Sequence, residues 1–358
     1  MRAVAWGLTD VGLQREHNED SFIVLKEYDL YVVADGMGGH RAGDVASKLA
    51  TETISEFFRS TAQDDVTWPF HFDANLSEEE NRLLTGIRVA NRQIFERSTR
   101  SREYHGMGTT VVGAMFSPRK GRMYIGHVGD SRCYRIRGGQ IQQLTRDHSL
   151  FNDYLLAMPD LTEEQRKELP KNVITRALGM QDQVAVDLQN DESQAGDVYV
   201  LCSDGLSGMV TDEEILAIVQ SAQGGDMQEA PKQLIARANE RGGEDNVTAV
   251  VIAIEDDALG ATVEAKTGAK EEPPAMSSRS ANAPTDVPPP GTAEPHVEVP
   301  KTPPPKVVLP NKGDNEFAEE PTLPAIDVRK SRQSDIGEEP TLPAIDLAKE
   351  LAQIKKPG

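Results

Sequence analysis

The sequence predicts an α+β domain of antiparallel sheets covered by helices, followed by a long disordered tail. Three observations carry that prediction. Short β-rich runs follow one another with turn signals between them, helical stripes are fewer, and the composition breaks abruptly near Glu255-Asp256. Meander-like strand runs, rather than strict alternation with helices, point away from a doubly wound parallel sheet.

The strand candidates in chain order are "FIVL", "LYVVA", "TTVVGAMF", "RMYIGHV", "RCYRIRGGQIQQL", "VYVLCS" and "VTAVVIAI". Gly138-Gly139 stands between two strand-like halves of "RIRGGQIQQL", which is a hairpin signal. Helical spacing relates Ala46, Ala50, Ile54 and Phe57, and again Leu83, Ile87, Ala90 and Ile94; Leu216 with Val219 and Leu234 with Ala238 fit further helices. The polar region 146–175 interrupts the strands and is expected to form a small helical excursion over the surface. The acidic segment "DDVTWPFHFDANLSEEENR" is long for a connection and reads as a surface loop packed by Trp68 and Phe70.

Residues 1–256 are therefore expected to be the folded domain, 257–316 a Pro-rich disordered linker and 317–358 a disordered tail. Of the 22 prolines, 17 lie after Asp257, where Phe317 is the single aromatic residue. Such a segment cannot bury enough apolar surface to offset its ordering entropy. Within it "EEPTLPAID" at 319–327 recurs letter for letter at 338–346. The repeat reads either as a duplicated spacer or as a short linear motif, one that docks an unknown binder or presents Thr322 and Thr341 for phosphorylation.

The formal net charge of −20 argues against a nucleic-acid or anionic-membrane surface, since either needs a basic footprint. No stretch approaches the length of a membrane span, and "MRAVAWGLTDVG" lacks the apolar segment of a secretory signal. Cys133 and Cys202 sit in apolar runs and read as core side chains in a reducing compartment. The expectation is a soluble, cytoplasmic monomer.

The chemistry lies at strand ends. "LYVVADG" ends in Asp35-Gly36, "YIGHVGDSR" contains Asp130, "VYVLCSDGL" ends in Asp204-Gly205, and Asp245-Asn246 precedes the last strand. A single Asp-Gly after a strand is ordinarily a turn. Acids recurring at several strand ends can instead meet at one edge of antiparallel sheets. Gathered carboxylates repel one another and either raise their pKa values or bind cations. With no thiolate or imidazole cluster beside them, the oxygen ligands favour Mg²⁺ or Mn²⁺. The loop "DGMGGHRAG" has neither a P-loop nor a dinucleotide fingerprint, so its glycines are expected to let backbone approach a metal, with the Gly36 carbonyl as a ligand. In "GLQREHNEDSF", Arg15 could fork onto phosphate oxygens, while Glu19 and Asp20 could hold metal-bound waters.

"REHNEDSF", "VVADGMGGHRAG", "MGTT", "VGDSRCY", "DHS", "ITRALG", "LCSDGL" and "EDNVTAVVI" occur in the order found in the metal-dependent protein phosphatase 2C-like serine/threonine phosphatases. The chain resembles their compact bacterial branch over about residues 3–254. The resemblance implies a β-sandwich flanked by helix pairs with a binuclear Mn or Mg site at one end. Asp35 would bridge the two ions, Gly36 would supply a carbonyl, and Asp204 and Asp245 would complete the ligands. Asp130 would hold a third, weaker ion together with Asp204, and Arg15 would bind phosphate. Region 146–175 would be the flap beside the site.

One departure concerns proton transfer. Animal-type members carry a histidine directly after Asp-Gly, where this chain has Met37, which cannot transfer protons. His40 is the nearest alternative general acid, and a metal-bound water is another. The implied reaction is hydrolysis of phosphoserine and phosphothreonine on proteins by a metal-bridging water, opposing a bacterial serine/threonine kinase. Its rivals are an adaptor that works through the tail and a phosphatase dedicated to one regulatory protein.

Overall fold

The computed structural model describes residues 1–38, 42–61, 72–170 and 173–256. Its strands form two antiparallel sheets. The first runs β1 (Arg2–Asp10), β11 (Val247–Glu255), β10 (Val198–Cys202), β7 (Arg132–Arg137), β8 (Gln140–Gln143). The second runs β2 (Asp20–Leu25), β3 (Leu30–Met37), β5 (Val111–Ser117), β6 (Arg122–Val128), β9 (Asp187–Glu192), with the short β4 (Gly108–Thr109) paired to the end of β3. The glycine pair predicted as a hairpin joins β7 to β8. Gly138 and Gly139 both have positive φ there (55° and 80°), as a tight hairpin turn demands.

Alternation along each strand divides the core into three apolar layers. On β3, Leu30, Val32 and Ala34 pack under α1 (Ala42–Ser60) and α2 (Glu78–Arg100), joining Ala46, Ala50, Ile54, Leu83, Ile87 and Ile94. On β10 and β11, Val198, Val200, Ala249 and Val251 pack under α6 (Asp212–Gln223) and α7 (Glu229–Glu240). The remaining set, Tyr31 and Val33 with Tyr199, Leu201, Val250 and Ile252, fills the space between the sheets. Burial on both faces is why these strands read as unbroken apolar runs. The result is a sandwich of two sheets with a helical layer on each outer face.

Two strands lie outside the sequence expectation, and both are sheet edges. β1 is mostly half-exposed along its length. β9, "DLQNDE", is polar except for Leu188 and carries the charged character that protects an edge from pairing with another chain. A third difference is the start of α2. Ser77 Oγ accepts the Glu80 N–H at 3.2 Å and Glu80 Oε2 accepts the Ser77 N–H at 2.8 Å. This reciprocal cap begins the helix inside the segment read as a loop. Trp68 and Phe70 lie outside the described residues, as do the linker and tail.

The region 146–175 forms the expected helical excursion, with α3 (Leu150–Ala157) and α4 (Glu163–Glu168), neither of which buries a side chain. No helix among the described residues is long and apolar enough to cross a membrane.

Candidate active site

The site is the end of the layer between the sheets. Antiparallel pairing places the C-terminal end of β10 beside the N-terminal end of β11, with Cys202 opposite Ala249. In the second sheet Val33 pairs with Val112, and Val111 with Val128, so β3 and β6 end at the same edge. Alternation then carries each inward row from apolar to polar. Phe22 gives way to Asp20, Tyr31 and Val33 to Asp35, and Val112 to Thr110. Leu201 gives way to Ser203, Val250 to Thr248, and Cys133 to Ser131. The rows meet as hydrogen bonds. Ser203 Oγ and Thr248 Oγ1 donate to Asp20 Oδ2 at 2.8 and 2.7 Å, and Thr110 and Ser131 share a 2.7 Å hydroxyl contact.

Onto this floor the fold adds the remaining acids. Asp20 and Asp35 are register partners across β2 and β3. Asp204 opens the one-turn helix α5 (Asp204–Ser207) directly after β10, close enough to Asp35 for the two carboxyl groups to influence each other. Burial, then repulsion from Asp20, Asp204 and Asp130, raises Asp35 well above the usual carboxylate range. Asp204 is raised by burial and by Asp245. Asp20, 6% exposed, is pushed up to about 7 by burial, with Asp204 and Asp245 adding to it. Asp130, in the turn between β6 and β7, is pushed up to about 7 by burial and by Asp204.

Glycines let the backbone close around these acids. A Cβ on Gly36 would stand 2.1 Å from the Gly43 carbonyl oxygen, and one on Gly205 would stand 2.0 Å from that of Asn246. A Cβ on Gly43 would meet the Glu19 carboxylate at 2.8 Å, so the start of α1 is seated against Glu19. The Glu19 carbonyl in turn accepts the Gly36 N–H at 3.1 Å. Burial raises the Glu19 carboxyl, against the pull of Arg15.

Arg15 Nη2 donates to Asp245 Oδ2 at 2.8 Å, and its side chain remains about half exposed at the mouth of the site. The structure thus brings together Arg15, Glu19, Asp20, Asp35, Gly36, Asp130, Asp204 and Asp245. His40, Thr322 and Thr341 lie outside the described residues. Sequence reasoning gave no role to Asn246, which ties the N-terminal loop to β11. Its Nδ2 donates to the Val11 and His17 carbonyls, both at 2.9 Å, and its Oδ1 accepts the Glu19 N–H at 2.7 Å. An amide directly after an acid at a strand start was the available signal. Ser203 and Thr248 were visible only as polar interruptions of apolar rows.

The donor set fits a divalent cation. Oδ1 of Asp20 and Oδ1 of Asp130 are buried without a hydrogen-bond partner, and burial and repulsion among the acids raise Asp35 and Asp204. Positive charge at this spot would remove the repulsion and use the idle oxygens.

Comparison with known proteins agrees with this geometry. The family model described as protein phosphatase 2C matches residues 14–248. The serine/threonine phosphatase Stp of Listeria welshimeri is 37% identical over 253 residues, covering 68% of this chain and 93% of that protein. Protein phosphatase PhpP of Streptococcus pneumoniae is 35% identical over 255 residues, covering 70% and 97%. The crystal structure of the Mycobacterium tuberculosis serine/threonine phosphatase PstP/Ppp superposes with a TM-score of 0.61 at 34% identity, covering 72% of this chain and 100% of that one. The catalytic domain of PstP in complex with 2 manganese ions superposes with a TM-score of 0.59 at 33% identity, covering 71% and 99%. The chain belongs to the protein phosphatase 2C family and is a serine/threonine phosphatase.

Proposed function

We propose that the enzyme hydrolyses phosphoserine and phosphothreonine on proteins with two divalent cations, Mn²⁺ or Mg²⁺, held by Asp35, the Gly36 carbonyl, Asp204 and Asp245. Asp130, with Asp204, holds a third and weaker ion. The observation that carries this reading is the gathering of Asp20, Asp35, Asp130 and Asp204 at one end of the inter-sheet layer, with Oδ1 of Asp20 and Oδ1 of Asp130 buried and idle. When bound, such ions neutralise phosphoryl oxygens and lower the pKa of water. The manganese complex of the similar PstP domain supports the same choice.

The chain's own residues do the rest. Arg15 is half exposed at the mouth and exchanges its Asp245 partner for substrate phosphate, where a planar fork matches two oxygens. Asp20 is held by two hydroxyl groups and orients water around the ions, with Glu19 beside it. Met37 ends β3 where a proton donor stands in animal-type relatives, so the leaving group takes its proton from another source. In this reading the enzyme works in the cytoplasm as a monomer against a serine/threonine kinase. Its folded domain ends near residue 256, and the two "EEPTLPAID" copies recruit a partner.

The test is a phosphatase assay on the full chain after chelator treatment, with phosphoserine, phosphothreonine and phosphotyrosine peptides. Turnover is expected to vanish, to return with Mn²⁺, and to favour the first two peptides. Activity that survives chelation, or a preference for phosphotyrosine, overturns the reading.

A further inference from the structure

Arg15 sits on the loop that joins β1 to β2, and a single side chain from the turn before β11 closes that loop. Asn246, 5% exposed, donates through Nδ2 to the carbonyls of Val11 and His17, both at 2.9 Å. One nitrogen thus ties the two ends of the segment around Arg15 to each other and to the turn. The amide oxygen accepts the Glu19 N–H at 2.7 Å, so the same group also fixes the start of β2. Only an amide offers two donors and an acceptor at this reach, and a carboxylate here would face two carbonyls with nothing to give.

Other ties hold the first half of the loop. The Leu13 and Gln14 N–H groups donate to the Gly243 carbonyl at 2.8 and 3.1 Å, and the Gly12 N–H donates to Asp10 Oδ1 at 2.9 Å. Gly12 has φ +78°, and a Cβ there would stand 2.2 Å from the Asp245 carbonyl oxygen, so loop and turn are pressed together. Among the described residues, no backbone hydrogen bond holds Arg15 or Glu16 themselves. The place of the guanidinium is therefore set by its anchors on either side, and Asn246 supplies the far one.

Asp245 does not depend on that amide. Val247 pairs with Asp10 in the β1–β11 register, the backbone N–H of Asn246 donates to Asp245 Oδ1 at 2.8 Å, and the Asn246 carbonyl is seated against Gly205. All of these are backbone ties that survive truncation of the side chain.

We propose that Asn246 is a positioning residue for substrate, closing the loop from Val11 to His17 so that Arg15 meets the phosphate beside Asp245. This rests on the reading of Arg15 as the group that binds phosphate. The experiment is a double-mutant cycle on the full chain, with a phosphothreonine peptide as substrate and saturating Mn²⁺. Arg15→Ala should raise KM by about 10- to 100-fold, the range for losing a hydrogen bond to a charged group. Asn246→Ala should raise KM by about 10-fold with kcat changed much less, the mark of misplaced ground-state binding. By calorimetry it should still take up two tight Mn²⁺ ions. The double variant should show the KM of Arg15→Ala alone, because an arginine that is absent cannot be misplaced. If the Asn246→Ala chain does not fold, Asn246→Ser takes its place, since its short hydroxyl cannot serve all three partners, and the same non-additive pattern is expected at smaller size. If Arg15→Ala leaves KM unchanged, the reading of Arg15 fails and takes the positioning role with it. If Arg15→Ala raises KM while the Asn246 variant does not, or if the two effects multiply, the positioning role alone is overturned. Loss of tight Mn²⁺ binding in Asn246→Ala would also overturn it, by assigning the side chain to the ions.

Discussion

The middle and the end of the inter-sheet layer are built from the same strands and the same alternating rows, yet their energetics are opposed. In the middle, Tyr31, Tyr199, Leu201, Val250 and Ile252 are completely or almost completely buried against one another. Two residues further along, the rows present Asp20, Asp35, Ser203 and Thr248, and four acids with raised pKa values crowd together. The middle stabilises the fold through burial, and the end costs stability unless positive charge arrives. A sandwich can carry such an end because its apolar layer lies immediately behind it.

The contrast can be broken from either side. Asp204→Asn should reduce turnover to near background while the metal-free chain unfolds at an equal or higher temperature, since a source of repulsion is gone. Leu201→Ala should do the reverse, destabilising the fold by about 2–5 kcal/mol for a truncated core side chain while leaving turnover intact below the melting range. Thermal unfolding and assay of both variants checks the pair. If both lose stability alike, the two regions do not differ as described.

A smaller effect sharpens the boundary. Thr248→Val keeps the row's shape but removes one of the two hydroxyl donors to Asp20 Oδ2. It should cost about 1–3 kcal/mol, the penalty for stranding a buried polar group. Denaturant unfolding of the metal-bound chain measures it. A cost near zero would place Thr248 in the apolar layer.

The smallest effect is in pH. Asp20 and Asp130 titrate at about 7 in the fold, against 3.8 for an unperturbed Asp. Between those values the folded chain holds protons that the unfolded chain has released. Stability of the metal-free chain should therefore be lost as pH rises through 7 and recovered as it falls. His148 opposes this at lower pH, because its folded value is about 4, reduced chiefly by burial. Comparing pH 8 with pH 6.5 keeps clear of most of that opposition. Unfolding midpoints that are flat or that fall toward pH 6.5 would count against the crowded acids.

Much of this organisation was legible in the residues. The apolar runs of β3, β10 and β11 announce strands buried on both faces, and an acid directly after such a run is visible without coordinates. The edge strands β1 and β9 were not legible, and β9 pairs through backbone while most of its side chains are those of a loop. The hydroxyl floor under Asp20 was hidden for a different reason. Ser203 and Thr248 are 45 residues apart in the chain and acquire meaning only when β10 and β11 pair. Asn246 likewise reads as one letter of a motif until the N-terminal loop folds back onto it.

The central claim is that the polar end of this layer is a cation site centred on Asp35. Calorimetric titration of Mn²⁺ into the full chain and into its Asp35→Asn variant tests it most directly. The account predicts two tight ions in the unaltered chain and loss of tight binding in the folded variant. Unchanged tight binding in the Asp35→Asn variant would contradict it.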